Sequence, residues 1–317
     1  MSLIYSMLWK IMIIFLLLVF SFMIVLYSME PRLIERGLYR IGIQENICEP
    51  LDKSKIKEIP KKIAIVADIG TTENGFNTLE NMKSINPELF LFVGDLSYET
   101  PDHWFNQTGL IKKEKIKIAF ADEEISDKQV YLEYYNLENV FYSFELDSVQ
   151  FIVLTMEEPY NQNSSQYNFL VSTLNQTINN EILEWKIVLL HAPIYSSNTE
   201  ISHLRDELQP VFDKFDVDLV IHGDVHGYER TFPLLFDEKI TDFSKCTFDD
   251  PKGEIFITVG TGGHSHSPFI EKKEWSIIQN DNDYGFLSIG LYKNEKTLIG
   301  EFISNNGNIV DSFQIRK

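Results

Sequence analysis

The sequence predicts an α/β domain built as a two-sheet β-sandwich flanked by helices. From Ile63 to His222, short apolar strands alternate with segments of helical period; from Glu254 to Ile315, strand patterns follow one another without an intervening helix. Alternation places helices on the faces of a sheet, and a strand-only run extends it with antiparallel strands. Composition agrees, since 44 % apolar and 24 % charged residues in a 317-residue chain suffice for a sizeable core.

In order, the pattern predicts a strand at Ile63–Val66, a helix at Thr78–Ile85, a strand at Leu89–Val93, a short strand at Ile116–Phe120 and a helix at Asp127–Tyr135. Val140–Leu146 alternates, Asp147-Ser148 turns, and Gln150–Thr155 returns as a hairpin. Tyr167, Leu170 and Leu174 set a helix over Gln166–Asn175. A strand at Trp185–Leu190, a helix at Leu204–Phe215 and a strand at Leu219–His222 follow. The last strands fall at Glu254–Gly260, Tyr284–Tyr292, Thr297–Ser304 and Ile309–Ile315, with Asn306-Gly307 as a hairpin turn. Trp104, Tyr131, Tyr134, Tyr135, Phe141 and Tyr142 read as core and edge packing.

Residues 1–29 form a membrane anchor or signal segment, 30–62 a linker, and 63–317 the domain. Ile11 to Met29 carries no charged side chain, and its nineteen residues span ~28 Å as a helix, close to a bilayer's hydrocarbon core. Its length, and the poor cleavage site Val25-Leu26-Tyr27-Ser28-Met29, favour a retained single-pass anchor over a cleaved signal that would leave a secreted protein. Arg32, Arg36 and Arg40 beyond the span oppose an outside domain under the positive-inside rule. Sequons at Asn106, Asn163 and Asn175 point to a glycoprotein with a lumenal or extracellular domain. Cys48 and Cys246 are the only cysteines, too few for a disulfide framework or thiolate zinc site; they either remain free or form one bridge to the N-terminal segment. Net charge of −19 argues against nucleic acid as a partner and gives any phosphate site an unfavourable long-range field.

Four strand ends carry a carboxylate or imidazole: Asp68 after Ile65-Val66-Ala67, Asp95 after Leu91–Gly94, His191 after Val188-Leu189-Leu190, and the run His222-Gly223-Asp224-Val225-His226. A strand-end aspartate alone is an ordinary turn former. Four in succession, with glycine close to three, are how a sheet builds a metal site at its C-terminal edge.

Asp68-x-Gly70, Gly94-Asp95-x-x-Tyr98, the His191 strand and Gly223-x-x-His226 followed by Tyr228-Glu229-Arg230 resemble, in order, the motifs of the purple acid phosphatase branch of the calcineurin-like metallophosphoesterases. Gly70 and Tyr98 distinguish that branch, whose relatives elsewhere carry D-x-H. Ser165-Gln166-Tyr167, Val217-Asp218-Leu219 and Val259-Gly260-Thr261-Gly262-Gly263 also look like family segments, so the likeness runs from about Ile63 to Ile315. It implies a metallophosphoesterase-type fold and two metal ions. Asp68, Asp95, Tyr98 and His226 would hold Fe³⁺. Asp95, His191, Asp122 and Asp224 would hold Zn, Mn, Mg or Fe²⁺. The implied reaction is attack by metal-bound hydroxide on a small phosphomonoester.

Three positions depart from the family pattern. Asp224 stands where histidine is expected, Asp122 where asparagine is expected, and Glu123 where the family has a histidine that stabilises phosphate or protonates the leaving group. Two added carboxylates favour harder ions. At ~5 Å and an effective dielectric of ~20, each charge opposes phosphate by ~3 kcal/mol, about two decades of rate. Glu123 replaces the family acid only if burial among carboxylates keeps it protonated; the plain alternative is an acidic loop at Asp122-Glu123-Glu124. His203 and His264 are candidate substrate-binding groups, His266 would face the metals with His264, and His222 packs locally. Arg230, Glu229 and Tyr228 brace the loop. Three functions remain: an anchored phosphatase acting on monoesters, a binding ectodomain that has lost catalysis, or a hydrolase with a changed metal pair or substrate, for instance diesters.

Overall fold

Strand β1 (Lys61–Val66) sits inside a seven-stranded sheet, hydrogen-bonded to a parallel neighbour, β2 (Leu89–Val93), and an antiparallel one, β14 (Gly285–Tyr292). The structure is a computed structural model and describes Cys48, Ile56 and residues 58–317, apart from 179, 181 and 199–201. Outward from β1 lie β2 and β3 (Ile116–Ala119); on the other side lie β14, β15 (Thr297–Ser304), β16 (Ile309–Arg316) and β11 (Thr247–Asp249). The second sheet runs β13 (Ser276–Asn280), β8 (Tyr228–Thr231), β12 (Ile255–Val259), β7 (Leu219–His222), β6 (Trp185–Leu190), β5 (Val149–Leu154) and β4 (Tyr142–Leu146). A small hairpin pairs β9 (Leu234–Leu235) with β10 (Lys239–Ile240). Strands β5, β6, β7 and β12 are parallel, so their C-terminal ends share one edge.

Alternation along each strand builds the layers. Ile63 and Ile65 of β1 join Leu91, Ile187, Leu189, Ile221, Ile289 and Phe313 in the core between the sheets. Ala64 and Val66 face outward, where Leu79 and Met82 of helix α1 (Glu73–Ser84), Trp104 of α2 (Pro101–Thr108) and Tyr131 of α4 (Lys128–Tyr135) cover them. Between α2 and α4 lies the short helix α3 (Asp122–Ile125). On the other face, Val188 and Leu190 pack against Leu170 and Leu174 of α5 (Ser165–Thr177) and Leu208 and Phe212 of α6 (Ser202–Phe215). Period-2 strands buried on both sides are what a sandwich with helices on its outer faces requires.

The expected elements are present, with differences that have local causes. Helix α1 begins at Glu73 and not Thr78, because Thr72 accepts from the Gly75 N–H at 3.1 Å and caps a polar first turn that hydrophobic spacing misses. Helix α2, absent from the hydrophobic pattern, starts with Pro101 at its first turn. Asp122–Glu124, for which the sequence offers an acidic loop as the plain alternative, is the first turn of α3. Strand β8 is also absent from the pattern, its Tyr-Glu-Arg-Thr sequence being polar yet buried throughout. Trp104 is buried and donates from Nε1 to Tyr135 at 2.8 Å, and Tyr131 and Tyr142 are likewise packing residues. Cys48 and Cys246 form a disulfide between positions 198 residues apart in the chain. The segment expected at 1–29 and most of the linker at 30–62 lie outside the described residues. Among the described residues no helix is long and apolar enough to cross a membrane.

Buried ions join the two sheets. Arg230 of β8 donates from Nε to Asp311 Oδ2 at 2.6 Å and from Nη2 to Oδ1 at 2.8 Å, while Tyr228 donates to Oδ2 at 2.8 Å. Asp311 lies on β16 of the other sheet, so Arg230 and Tyr228 tie sheet to sheet, in place of the expected brace to their own loop. Glu229 does brace a loop, accepting from the Ser197 N–H and Oγ–H at 2.9 and 2.6 Å. Removing one partner of a buried pair strands the other charge. Asp311→Ala is therefore expected to destabilise the fold by about 3–5 kcal/mol, measured by denaturant melts.

Candidate metal centre

Asp68, Asp95 and His191 meet at the strand ends. Each presents one donor atom, all within 4.8 Å of one another, and all three residues are buried. His191 Nε2 lies 3.5 Å from Asp95 Oδ1 and 4.0 Å from Asp68 Oδ1. Tyr98 donates its phenol to Asp68 Oδ1 at 3.0 Å, and His226 Nε2 lies 3.2 Å from both that carboxylate oxygen and the Tyr98 oxygen. Five of the sequence-predicted metal residues thus converge on one point.

The local backbone explains how. Asp68, Asp95, Tyr98 and Asp224 have φ of 55°, 52°, 57° and 64°, the left-handed region that non-glycine residues enter at a penalty of roughly 1–2 kcal/mol. Such residues break the extended path of the chain at the strand ends and loops where these side chains meet. Close packing requires glycine at two neighbouring positions. A Cβ on Gly94 would lie 2.5 Å from His191 Nδ1, and one on Gly223 would lie 2.7 Å from the same atom and 2.8 Å from Asp68 Oδ2.

Hydrogen bonds then set the donors. His191 Nδ1–H donates to the Val93 carbonyl at 2.6 Å, which leaves the Nε2 lone pair facing the centre. Neither His191 Nε2 nor Asp95 Oδ1 has a hydrogen-bond partner although both are buried. Two orphaned acceptors, beside further carboxylate and phenol oxygens, fit a cation. An oxygen-rich set with two imidazoles suits Fe³⁺, Mn²⁺ or Zn²⁺.

Sequence reasoning missed Glu124. It is buried and accepts from the backbone N–H groups of Asp95 at 3.1 Å, Leu96 at 2.8 Å and Ala121 at 3.2 Å, which fixes the loop presenting Asp95. Nothing in an Asp-Glu-Glu run marks which acid turns inward. With Glu124 taking the inward position on α3, Asp122 and Glu123 are exposed. The burial that Glu123 needs to act as a protonated acid is absent, which corrects that expectation.

The other candidates are distributed around the rim. Asp224 is exposed, with its backbone N–H donating to Asp68 Oδ2 at 3.1 Å. Desolvation is the main cause that raises the pKa of Asp95 and, although Asp224 stands at the rim, of its carboxyl where that faces the centre; the nearby Asp122 charge adds to each. His264 stacks on the Tyr98 ring, centroids 3.7 Å apart and planes 14° apart, so it does reach the centre. His266 stacks instead on Tyr284 at 3.9 Å. His203 is exposed beside Tyr160, at 6.1 Å between ring centroids, and outside the buried group. His222 is buried against Phe256, and burial lowers its pKa to about 3, a neutral packing residue as expected.

The electrostatics of the centre also call for a cation. Burial pushes Asp95 up to about 6 and Glu124 up to about 7. Burial opposes protonation of His191, but the Asp68 and Asp95 carboxylates outweigh it and hold the imidazole up to about 9. Burial and the same carboxylates raise Tyr98 far above the ordinary phenol range. Without a cation, protons supply the positive charge.

Residues 61–228 match the calcineurin-like phosphoesterase family, and residues 254–312 match the iron/zinc purple acid phosphatase-like protein C family. Purple acid phosphatase 18 of Arabidopsis thaliana is 30 % identical over 257 residues, covering 72 % of this chain and 56 % of that protein. A protein of the same plant named probable inactive purple acid phosphatase 1 is 30 % identical over 203 residues, covering 61 % of this chain and 33 % of its own. The chain spans about half the length of the first of these relatives, and less of the second. Among solved structures, a purple acid phosphatase from yellow lupin seeds shares the fold at a TM-score of 0.68 and 21 % identity, covering 81 % of this chain and 53 % of that one. The structure titled GAP50, the anchor in the inner membrane complex of Plasmodium, shares it at 0.63 and 18 % identity, covering 82 % and 89 %.

Two outcomes are expected. Metal uptake displaces protons from groups near pKa 6 and 9, so affinity rises with pH and protons are released; calorimetry in buffers of different ionisation enthalpy measures their number. Glu124→Ala frees the Asp95 loop and weakens metal binding about 10–100-fold in chelator competition.

Proposed function

The chain belongs to the purple acid phosphatase branch of the calcineurin-like phosphoesterases, and on that premise we propose that it hydrolyses small phosphomonoesters with a metal pair whose second position is carboxylate-rich. The observation that carries this reading is the convergence of Asp68, Asp95, Tyr98, His191 and His226, with buried donor atoms that have no partner within the protein. Asp68, Asp95, Tyr98 and His226 would hold a hard trivalent iron. Asp95, His191, Asp122 and Asp224 would hold the second ion, with preference shifted toward Mn²⁺ or Mg²⁺. When bound, the metals supply a nucleophile at neutral pH and offset the charge on phosphate.

The protein's own groups do the rest. Val93 and Glu124 orient His191 and Asp95. Tyr98 and His264 wall one side of the centre, and His264 is the imidazole available to a bound phosphate oxygen. Exposed Glu123 is poorly suited to donate a proton, so leaving-group protonation falls to solvent or to His264. The recess is acidic, with Asp122, Glu123, Glu157 and Asp224 at its rim. That field disfavours highly charged substrates and favours monoesters with neutral or cationic organic groups.

A second reading has its own support. The departures at Asp122, Glu123 and Asp224 fall together at the second metal position, some relatives are named inactive, and one structural neighbour is titled an anchor. On this reading the fold holds one metal, or none, and serves as a binding ectodomain.

In either case residues 11–29 would hold the domain to a membrane on its lumenal or extracellular side, a placement that the Cys48–Cys246 disulfide favours because such bonds persist in oxidising compartments. Protease protection of microsomes tests that placement.

Phosphomonoester turnover by the purified protein, loaded with Fe, Zn, Mn or Mg in turn, tests the function. Turnover is expected, strongest with Mn²⁺ or Mg²⁺ beside iron. The triple variant Asp122→Asn, Glu123→His and Asp224→His is expected to gain about 10–100-fold in kcat/KM with Zn²⁺. Turnover by the triple variant alone would establish the second reading, and turnover by neither would sink the hydrolase assignment.

A further inference from the structure

The loop after β12 touches the first metal position at several points. The Gly262 and His264 N–H groups donate to the Ala67 and Asp68 carbonyls at 3.0 and 3.1 Å, and the Ser267 N–H donates to the His226 carbonyl at 2.9 Å. Gly263 (φ +152°) lets the loop press on the start of α1, since a Cβ there would lie 2.2 Å from the Gly75 nitrogen. Held this way, Ser265 Oγ meets His226 Nδ1 in a short hydrogen bond and lies 3.5 Å from His264 Nδ1. His264 in turn lies flat on Tyr98 at 3.7 Å. Tyr98 closes the circuit, its oxygen 3.2 Å from His226 Nε2.

We propose that Ser265 and His264 are positioning residues for the first metal, a hydrogen-bond and stacking chain that links its two ligands other than carboxylates, His226 and Tyr98. The inference rests on the reading that Asp68, Asp95, Tyr98 and His226 hold a metal. For His226 Nε2 to offer a lone pair, its proton must sit on Nδ1. Ser265 Oγ accepts that proton's hydrogen bond and fixes both tautomer and ring rotation, as outer groups do for metal-bound histidines generally. Its own O–H is then free to face His264 Nδ1, 3.5 Å away, while stacking on Tyr98 sets the orientation of that second ring. The stacked His264 covers one face of the Tyr98 phenol, limiting its swing and keeping water from that face. Ser265 does this without touching substrate, and the stacking of His264 on Tyr98 positions the phenol independently of any contact His264 makes with a phosphate oxygen. The chain thereby couples ligand geometry to a loop far along the sequence, which the strand-end motifs do not contain.

The test uses the full chain with Fe³⁺, Mn²⁺ or Zn²⁺ and reads metal retention against a chelator, plus the visible tyrosinate–Fe³⁺ band. Ser265→Ala is expected to weaken retention about 10–100-fold, and Ser265→Thr, which keeps the hydroxyl, to stay within about threefold of the unmodified protein. His264→Ala is expected to shift the band, while His264→Phe, which keeps the stacked ring, holds it in place. Melting temperatures of the metal-free variants separate loss of fold from loss of positioning, and the His264→Phe and Ser265→Thr arms stand even where an alanine variant folds poorly. Wild-type retention in Ser265→Ala, equal loss in Ser265→Ala and Ser265→Thr, or an unmoved band in His264→Ala overturns the inference alone. Failure of the unmodified protein to retain any of the three metals overturns the metal reading and the inference with it.

Discussion

Carboxylates buried at the ends of two neighbouring strands need positive charge beside them, and much of the structure around Asp68 and Asp95 follows from that need. An uncompensated buried carboxylate is among the most unfavourable groups a fold can hold, so it is neutralised, paired or bound to a cation. Here Asp68 and Asp95 meet His191 at one point, and burial and the neighbouring carboxylates raise the proton affinities of Asp95 and His191. Strained left-handed backbone, glycine clearance at 94 and 223, and the histidine tautomer all serve to keep those charges close together. A fold with no cation to hold would gain stability by relaxing each of them.

The same electrostatics bear on the acidic residues around the buried group. Asp122 and Asp224 bring negative charge to a centre already rich in it, and both stand at the rim, where solvent moderates their repulsion. That location is why the carboxylates can be accommodated without disturbing the buried group. On the proposed reading their effect would fall on which ion binds and which substrate approaches, and less on whether the fold forms. The carriers of this fold include proteins named as phosphatases and one titled an anchor, so the activity must be argued from the site and not from the sandwich.

Buried polar groups remote from the centre support it mechanically. Arg230, Tyr228 and Asp311 lock one sheet against the other, and Glu229 on the same strand holds the loop that follows His191. Strand β8 therefore connects the sheet-to-sheet contact with two of the loops that carry His191 and His226. Residues of charged and hydroxyl type in its sequence look unlike a strand until their partners are seen.

The order of the strands, the strand-end acids and imidazoles, and Gly70 with Tyr98 were all legible along the chain, because each depends on residue type and spacing within a few positions. The β1, β2, β6 and β7 ends read clearly for the same reason, as apolar runs closed by a polar residue. What the chain order did not contain was selection among equivalent residues. Only tertiary packing decided that Glu124 turns inward and Glu123 does not, that Ser265 and His264 brace the centre while His203 stands apart, and that Arg230 reaches Asp311. Those outcomes depend on groups separated by tens to hundreds of residues, and a hydrogen bond or a desolvated charge is determined by the atoms that arrive beside it in space, whatever the local pattern allows.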